Sequence, residues 1–288
     1  MSIYKKLTLV IITYNSNKEI FKLIKSLKFI KKIIKEIIII DNNSVIFETK
    51  KIKNLSKKIK IIKNKQNFGF AKAVNQGIKL SKSSFILLLN PDTYLEDNSI
   101  IKTFNLIKND TKIGAIGGKI FYINNKKYNT ANTKPNFLTG IFEFTNLKKI
   151  FSNNIFSKKF WPESYKKIKK PIEVSSLCGA YIIFRKKINK KINLFNEDYF
   201  LYLEDLDFGI SIKEQGYKVV FDPNSQIKHI GGASSNNKYK TNLKYWYKSR
   251  KVFFKKHLNF IEGIILSVIF SFEEFLLKIY HHIHHDSE

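Results

Sequence analysis

The chain has 288 residues, 43% hydrophobic and 26% charged, enough to bury a sizeable core and too apolar for a disordered chain. Its formal charge of +29 rests almost wholly on lysine, with Arg185 and Arg250 the only arginines. That balance suits an anionic membrane surface or anionic substrates and argues against nucleic acid, whose phosphates and bases favour arginine. Cys178 is the one cysteine, which excludes an intrachain disulfide and a cysteine-built zinc site.

Residues 7–12 read as a first buried strand, closing on Thr13-Tyr14-Asn15-Ser16. Six apolar residues behind Lys5 and Lys6 are too few for the core of a signal peptide. Asn15 or Asn17 is placed to cap the next helix, where Ile20, Leu23, Ile24 and Leu27 recur at helical spacing. Residues 37–40, all isoleucine, form a second strand that ends on Asp41-Asn42-Asn43-Ser44, and a third strand is expected over 59–62. Asn67-Phe68-Gly69 then opens a helix with Phe70, Ala73, Val74, Gly77 and Ile78 on one face. Residues 85–89 are an unbroken apolar run, too short for a helix, and read as a central strand buried on both faces. Pro91 has no N–H to give the ladder, so the strand stops at Asn90-Pro91-Asp92.

This alternation predicts an α/β fold with a Rossmann-like, mostly parallel central sheet flanked by helices. In such a sheet the polar clusters at 13–15, 41–44 and 90–92 share one edge, the edge where open α/β sheets bind ligands. Asp92 suits a hard divalent cation that bridges two phosphates. No G-x-x-x-x-G-K-[ST] loop exists, and no G-x-G-x-x-G follows the first strand, which disfavours a P-loop enzyme and a dinucleotide dehydrogenase.

A further strand is expected within 113–122, then a partly helical insertion over about 124–170. Order resumes over 173–185, which contains Cys178-Gly179-Ala180. Residues 195–208 make an aromatic shelf that ends in Glu204, Asp205 and Asp207, a tight acidic cluster in a lysine-rich chain. Gly216 ends the helix these acids start, a strand follows over 217–221, and His229 opens a flexible loop through Ser235. Residues 244–256 interleave cations with aromatics. Residues 261–277 are apolar but broken by Glu262, Glu273 and Glu274, and the stretch between Glu262 and Glu273 is too short to cross a bilayer. This predicts either an interfacial helix with its basic neighbour on anionic headgroups, or a helix pair packed on the domain or at a dimer seam. The histidines at 281–285 read as a solvated tail. The expected domains are 1–240, in two halves of about 1–122 and 123–240, and C-terminal helices over 241–288.

Taken together, several of these segments resemble a known family. They are Val10-Ile11-Ile12-Thr13-Tyr14-Asn15, Ile39-Ile40-Asp41-Asn42-Asn43-Ser44, Asn67-Phe68-Gly69-Phe70-Ala71 with Asn75 and Gly77, and Leu88-Leu89-Asn90-Pro91-Asp92. Further on come Cys178-Gly179-Ala180, Tyr202-Leu203-Glu204-Asp205-Leu206-Asp207, and His229 with Gly232 and Ser234. In this order, over roughly residues 7 to 258, the chain resembles the family 2 inverting glycosyltransferases of GT-A fold, and among them the rhamnosyltransferase-like branch. One departure is Asn90, where many members carry the first Asp of an Asp-x-Asp metal motif; a neutral amide is the weaker ligand. The Asn-Pro-Asp form does occur in the rhamnosyltransferase-like branch.

The resemblance implies a sugar moved from a nucleotide-diphosphate donor, a dTDP- or UDP-sugar with a rhamnose-like sugar leading, to a hydroxyl of a glycan or lipid-linked glycan acceptor. It implies inversion, a Mg²⁺ or Mn²⁺ cofactor, and a role in surface polysaccharide synthesis at the inner face of the cell membrane. Thr13, Tyr14, Asn15, Asp41, Asn43, Asn67, Gly69, Asn75, Asn90 and Asp92 would surround the nucleotide-sugar, with Tyr14 stacked on the base and Asp41 accepting hydrogen bonds from base or ribose. Asp92, with Asn90 and His229, would hold the metal. Cys178, Gly179, Ala180, Tyr202 and Glu204 would meet the acceptor. Asp205 would take the acceptor proton, with Glu204 in support. The alternative is a catalytically silent nucleotide-sugar-binding scaffold of a polysaccharide assembly complex.

Overall fold

The first strand, β1 (Leu7–Thr13), is buried along its whole length because no residue of it alternates to solvent. The computed structural model describes residues 7–162, 167–188, 191–192, 195–230 and 239–285; Gly232 and Ser234 of the expected loop lie outside the described residues, as do the side chains of the terminal histidines. Helix α1 (Asn17–Ser26) follows, with Ser16 at its N-cap. Neither Asn15 nor Asn17 caps it, because both reach across to another loop. Asn15 Oδ1 accepts from the Val45 amide at 2.8 Å, and Asn17 Oδ1 accepts from the Glu48 amide at 3.0 Å. The units β2 (Ile34–Asp41), α2 (Thr49–Asn54), β3 (Ile59–Lys63), α3 (Phe70–Leu80) and β4 (Phe85–Leu89) complete a run of strands joined by helices. Gly77 lets α3 lie directly on β1: a Cβ there would sit 2.5 Å from Val10 Cγ1.

The chain continues through β5 (Thr93–Tyr94), α4 (Ser99–Asn109), β6 (Ile113–Tyr122), β7 (Lys127–Tyr128) and β8 (Ala131–Asn132). The insertion holds α5 (Phe137–Phe144), α6 (Leu147–Ile150) and α7 (Ile155–Phe160). Then come β9 (Ile172–Val174), β10 (Ser176–Leu177), β11 (Tyr181–Arg185), β12 (Lys187–Ile188) and β13 (Lys191–Ile192). Helix α8 (Glu204–Glu214), β14 (Lys218–His229), α9 (Tyr239–His257) and α10 (Phe260–His285) end the chain.

The main sheet runs β3-β2-β1-β4-β11-β6-β14-β5. Parallel pairing holds over β3-β2-β1-β4 and again for β6 with β14. The strand β11 runs antiparallel to both β4 and β6. That reversal decides the site: an antiparallel strand begins at the edge where its parallel neighbours end. Cys178-Gly179-Ala180 therefore enters beside the end of β4, and the Asn90 amide donates to the Ala180 carbonyl at 3.2 Å. β14 is longer than the expected 217–221. Its register shifts between Asp222 and Gln226, and it runs on to pair His229 with Thr93 of β5.

Two apolar layers cover the faces of the sheet. A third core joins Leu206 and Ile210 of α8 to Phe253 and Phe254 of α9 and Leu266 and Phe270 of α10. The C-terminal hairpin thus packs on the helix that opens with the acidic cluster. One polar knot pins them. Asp207 Oδ1 lies 2.6 Å from His257 Nε2, and Lys256 Nζ donates to Asp207 Oδ2 at 2.9 Å. Burial on its own raises the Asp207 carboxyl, but the hydrogen bonds from His257 and Lys256 and their charge outweigh it and hold the group below the ordinary carboxylate range.

A carboxyl depressed by folding adds stability that is complete above its unfolded pKa, about 3.9, and is lost as pH falls through the lower folded value. Asp207→Asn is expected to cost about 1–3 kcal/mol at neutral pH by leaving the knot half-made. In calorimetry that is a fall of roughly 2–4 °C in melting temperature per kcal/mol. The gap to wild type is expected to close only below about pH 4; a gap that stays constant to the acid limit assigns the knot no charge-dependent role.

Candidate active site

The strand register sets Thr13 beside Asp41, both fully buried. Asp41 Oδ1 accepts from the Ser44 amide at 3.1 Å, while Asp41 Oδ2 and Thr13 Oγ1 are buried without a partner. Such atoms cost about 1–3 kcal/mol each unless another group meets them. Tyr14 is half-buried next to them, and Asn15 and Asn43 are exposed at φ of 55° and 69°, a conformation that Asn tolerates. Asn42 holds this corner together and was not among the expected site residues. Its Nδ2 donates to Asn67 Oδ1 at 2.9 Å and to the Gly69 carbonyl at 3.0 Å, and its Oδ1 accepts from Asn64 Nδ2 and the Phe68 amide.

Asn67, Gly69 and Asn75 make contacts within the fold. Asn67 Oδ1 also accepts from the Gly69 amide at 2.9 Å, which turns the loop into α3. Gly69 has φ of 83°, and a Cβ on it would lie 2.5 Å from the Phe200 carbonyl, so glycine is required where the aromatic shelf crosses. Asn75 is buried; it donates to the Phe195 carbonyl and the Glu197 carboxylate, each at 2.8 Å, and accepts from the Phe195 amide at 2.7 Å. Its amide is committed to the 195–197 segment and joins α3 to the shelf.

Beyond β4, the Asn90 carbonyl accepts from the Thr93 amide and hydroxyl and closes the turn that presents Asp92. Asp92 Oδ1 lies 3.1 Å from His229 Nε2, and His229 Nδ1 is buried without a partner. A buried carboxylate beside an imidazole fits a divalent cation by donor type. Among the described residues no group of three or more His, Cys, Asp or Glu forms a complete cage. A cation on Asp92 and His229 would therefore take the rest of its shell from phosphate oxygens and water.

The acids sit at the start of α8 behind two consecutive left-handed residues, Tyr202 at φ 73° and Leu203 at φ 67°. Non-glycine residues there carry strain of about 1–3 kcal/mol each, and such strain gathers at functional sites. Ser176 Oγ donates to the Asp205 carbonyl at 2.7 Å, and Gly209 brings α8 against Ser175 and Ser176. Asp205 Oδ2 accepts from the Gly179 amide and Oδ1 from the Leu206 amide, each at 2.8 Å. Glu204 is buried with Oε2 unpaired. Burial first, then the Asp205 charge beside it, pushes the Glu204 carboxyl up. Burial also raises Asp205, against the two amide hydrogen bonds that favour its charged form. Both carboxyls are thus raised; two amides on its oxygens favour the charged form of Asp205, while Glu204 Oε2 has no donor.

Asp205 lines a cavity of about 500 Å³ together with Cys178, Tyr128, Trp161, Trp246 and Arg250; Glu204 does not. Glu143 accepts from Trp161 Nε1 at 2.7 Å and Ser157 Oγ at 2.5 Å and pairs with Lys148, which fixes one wall. Tyr202 packs edge-on to Trp246, and Ala180 belongs to the core under the site. The cavity and the Asp92–His229 pair are neighbours, because the Tyr128 ring, which lines the cavity, meets the His229 ring edge-on at 5.8 Å. Tyr128, Trp161 and Trp246 were not expected at the site; a lone aromatic in a lysine-rich segment carries no signal of where it packs. Arg250, one of only two arginines, had such a signal in its rarity.

Known proteins agree with this architecture. A curated relative, N-acetylglucosaminyl-diphospho-decaprenol L-rhamnosyltransferase of Mycobacterium tuberculosis, is 21% identical over 258 residues, 86% of this chain and 83% of the relative. Among solved structures, GalNAc-T7 with UDP, GalNAc and Mn²⁺ superposes with a TM-score of 0.60 at 15% identity, over 78% of this chain and 43% of that one. The S. aureus TarS 1-349 structure gives 0.54 at 16% identity, over 94% and 72%. The mannosyltransferase PcManGT from Pyrobaculum calidifontis, in complex with GDP-Man and Mn²⁺, gives 0.56 at 13% identity, over 88% and 64%. At such identities the likeness establishes the fold, that of GT-A glycosyltransferases. The profile of Glycosyl transferase family 2 matches residues 8–193, well over half of the sequence, and the chain belongs to that family.

Proposed function

We propose that this glycosyltransferase moves a sugar from a nucleotide diphosphate to a hydroxyl of a lipid-linked glycan, with inversion and with the help of a divalent cation. The observation that carries this reading is the position of Asp205, a carboxyl held by two amides and open to an aromatic-walled cavity beside Asp92 and His229. The name of the curated relative gives L-rhamnosyl transfer and an N-acetylglucosaminyl-diphospho-decaprenol, which supports a rhamnose-like sugar and a lipid-linked acceptor; the reading adds a dTDP or UDP carrier and a place in surface polysaccharide synthesis.

Thr13 and Asp41 offer a hydroxyl and a carboxylate oxygen to the base and ribose, with the Tyr14 ring beside them. Asp92 and His229 would hold Mg²⁺ or Mn²⁺, with Asn90 as the neutral neighbour; the bound cation would supply positive charge to the leaving diphosphate. Each Asp205 oxygen keeps a lone pair beyond its amide bond, so the side chain can accept the acceptor's O–H proton without moving. As the acceptor oxygen bonds to the anomeric carbon, the bond to the diphosphate breaks and its electron pair leaves with the nucleotide. Glu204, raised by burial and by the Asp205 charge and absent from the cavity lining, is not placed to serve as the base. A silent scaffold would have no use for a carboxyl held by two amides at an open cavity.

Asp205→Asn keeps the shape but loses the basic oxygen, so kcat is expected to fall about 10²–10⁴-fold while nucleotide-sugar affinity stays within a few-fold. Glu204→Gln is expected to cost less. Steady-state transfer assays with both variants decide it: turnover lost in Glu204→Gln and kept in Asp205→Asn reverses the roles.

Asp92→Ala and His229→Ala are each expected to abolish the Mn²⁺-dependent part of nucleotide-diphosphate binding in calorimetry. Asn90→Asp is expected to tighten it by adding a carboxylate. Equal affinity with and without Mn²⁺ in all four proteins would falsify the metal assignment.

A further inference from the structure

α10 has two unlike faces. Leu266 and Phe270 point into the third core. Ile261, Ile264, Ile265, Val268, Phe272, Phe275, Leu276 and Ile279 fall at i, i+3, i+4, i+7, i+11, i+14, i+15 and i+18, the spacing of a single stripe, and all are exposed. At 1.5 Å per residue the stripe is about 27 Å long. Eight large apolar side chains in one exposed line are a contact surface awaiting a partner.

The flank of the stripe identifies that partner. On α9, Lys244, Lys248, Lys251 and Lys255 recur at i, i+4, i+7 and i+11 and so form a stripe of their own. Lys255 shares an open groove with Ile264, Val268, Phe272 and Phe275. Lys251 and Lys278 both pair with Glu274, at 3.0 and 3.1 Å, on the same border. A cationic row thus runs along one edge of an apolar row, on a chain of formal charge +29. Among the described residues no helix is long and apolar enough to cross a membrane. We infer that the α9–α10 hairpin lies in the surface of an anionic bilayer, with the α10 stripe among the acyl chains and the α9 lysines on the headgroups.

The inference rests on the proposed lipid-linked acceptor for its purpose, though not for its geometry. Leu277, on the inner side of α10, lines the cavity that holds Asp205. The helix that would rest on the bilayer is therefore also a wall of the acceptor cavity, which places the base next to a hydroxyl carried on a membrane-anchored chain.

Flotation in a density gradient tests this, with vesicles of equal parts phosphatidylcholine and phosphatidylglycerol and with vesicles of phosphatidylcholine alone. Wild type is expected to rise with the anionic vesicles, less so as salt is added, and to stay behind with the neutral ones. Val268→Glu/Phe272→Glu changes two side chains that are 63% and 61% exposed and is expected to abolish flotation while circular dichroism and the thermal shift with UDP and Mn²⁺ stay as in wild type. Lys248→Gln/Lys255→Gln is expected to lower the vesicle partition coefficient by roughly five-fold per lysine. Wild type that stays unbound, or that binds neutral vesicles equally, overturns the inference. So does a wild-type dimer in sedimentation that Val268→Glu/Phe272→Glu splits, since a second copy would then cover the stripe. Flotation is read without any transfer, so intact vesicle binding with no transfer defeats the proposed reaction and leaves this inference standing.

Discussion

The 2.8 Å hydrogen bond from the Gly179 amide to Asp205 joins the two halves of this enzyme. On one side of it is the start of β11, anchored to the end of β4 through Asn90. On the other is α8, which Gly209 and Ser176 seat on the 175–176 segment. The ends of the central strands and the cavity are therefore registered to each other by short hydrogen bonds between backbone and fixed side chains. This is the order of precision that chemistry between two bound molecules requires. The same bond favours the charged form of Asp205 against the burial that raises its carboxyl.

The electrostatics of α8 divide three adjacent acids among three tasks. Asp207 meets cations and pins the C-terminal hairpin. Glu204 meets none and is raised by burial and by the Asp205 charge. Asp205 meets two amides and faces the cavity. All three favour a helix N-terminus for the same macrodipole reason, so only their tertiary surroundings tell them apart.

That distinction marks how far the sequence was legible. The apolar runs of β1, β2 and β4, the buried face of α3, the end of α8 before Gly216 and the polar strand ends were all readable, because each is set by local periodicity or by a turn residue. The direction of β11 was not, since an apolar run looks the same from either end. The length of β14 was hidden by its register shift. Most of the cavity wall comes from residues between 128 and 161 and between 243 and 277, which meet the 178–206 segment only through long-range packing. Asn75 lay within a recognisable segment, yet its amide is committed to a shelf 120 residues further on.

The late arrival of β11 has a consequence during synthesis. β4 pairs with β1 on one side and with β11 on the other, and roughly ninety residues separate the end of β4 from the start of β11. At about 5–20 residues per second, a ribosome leaves that apolar strand with one open edge for about 5–18 s. An unpaired edge of this kind is a template for another chain. The nascent protein therefore passes through a window in which a strand destined for full burial is an adhesive surface. Docking of β11 closes that window, and the same event brings Gly179 to the site.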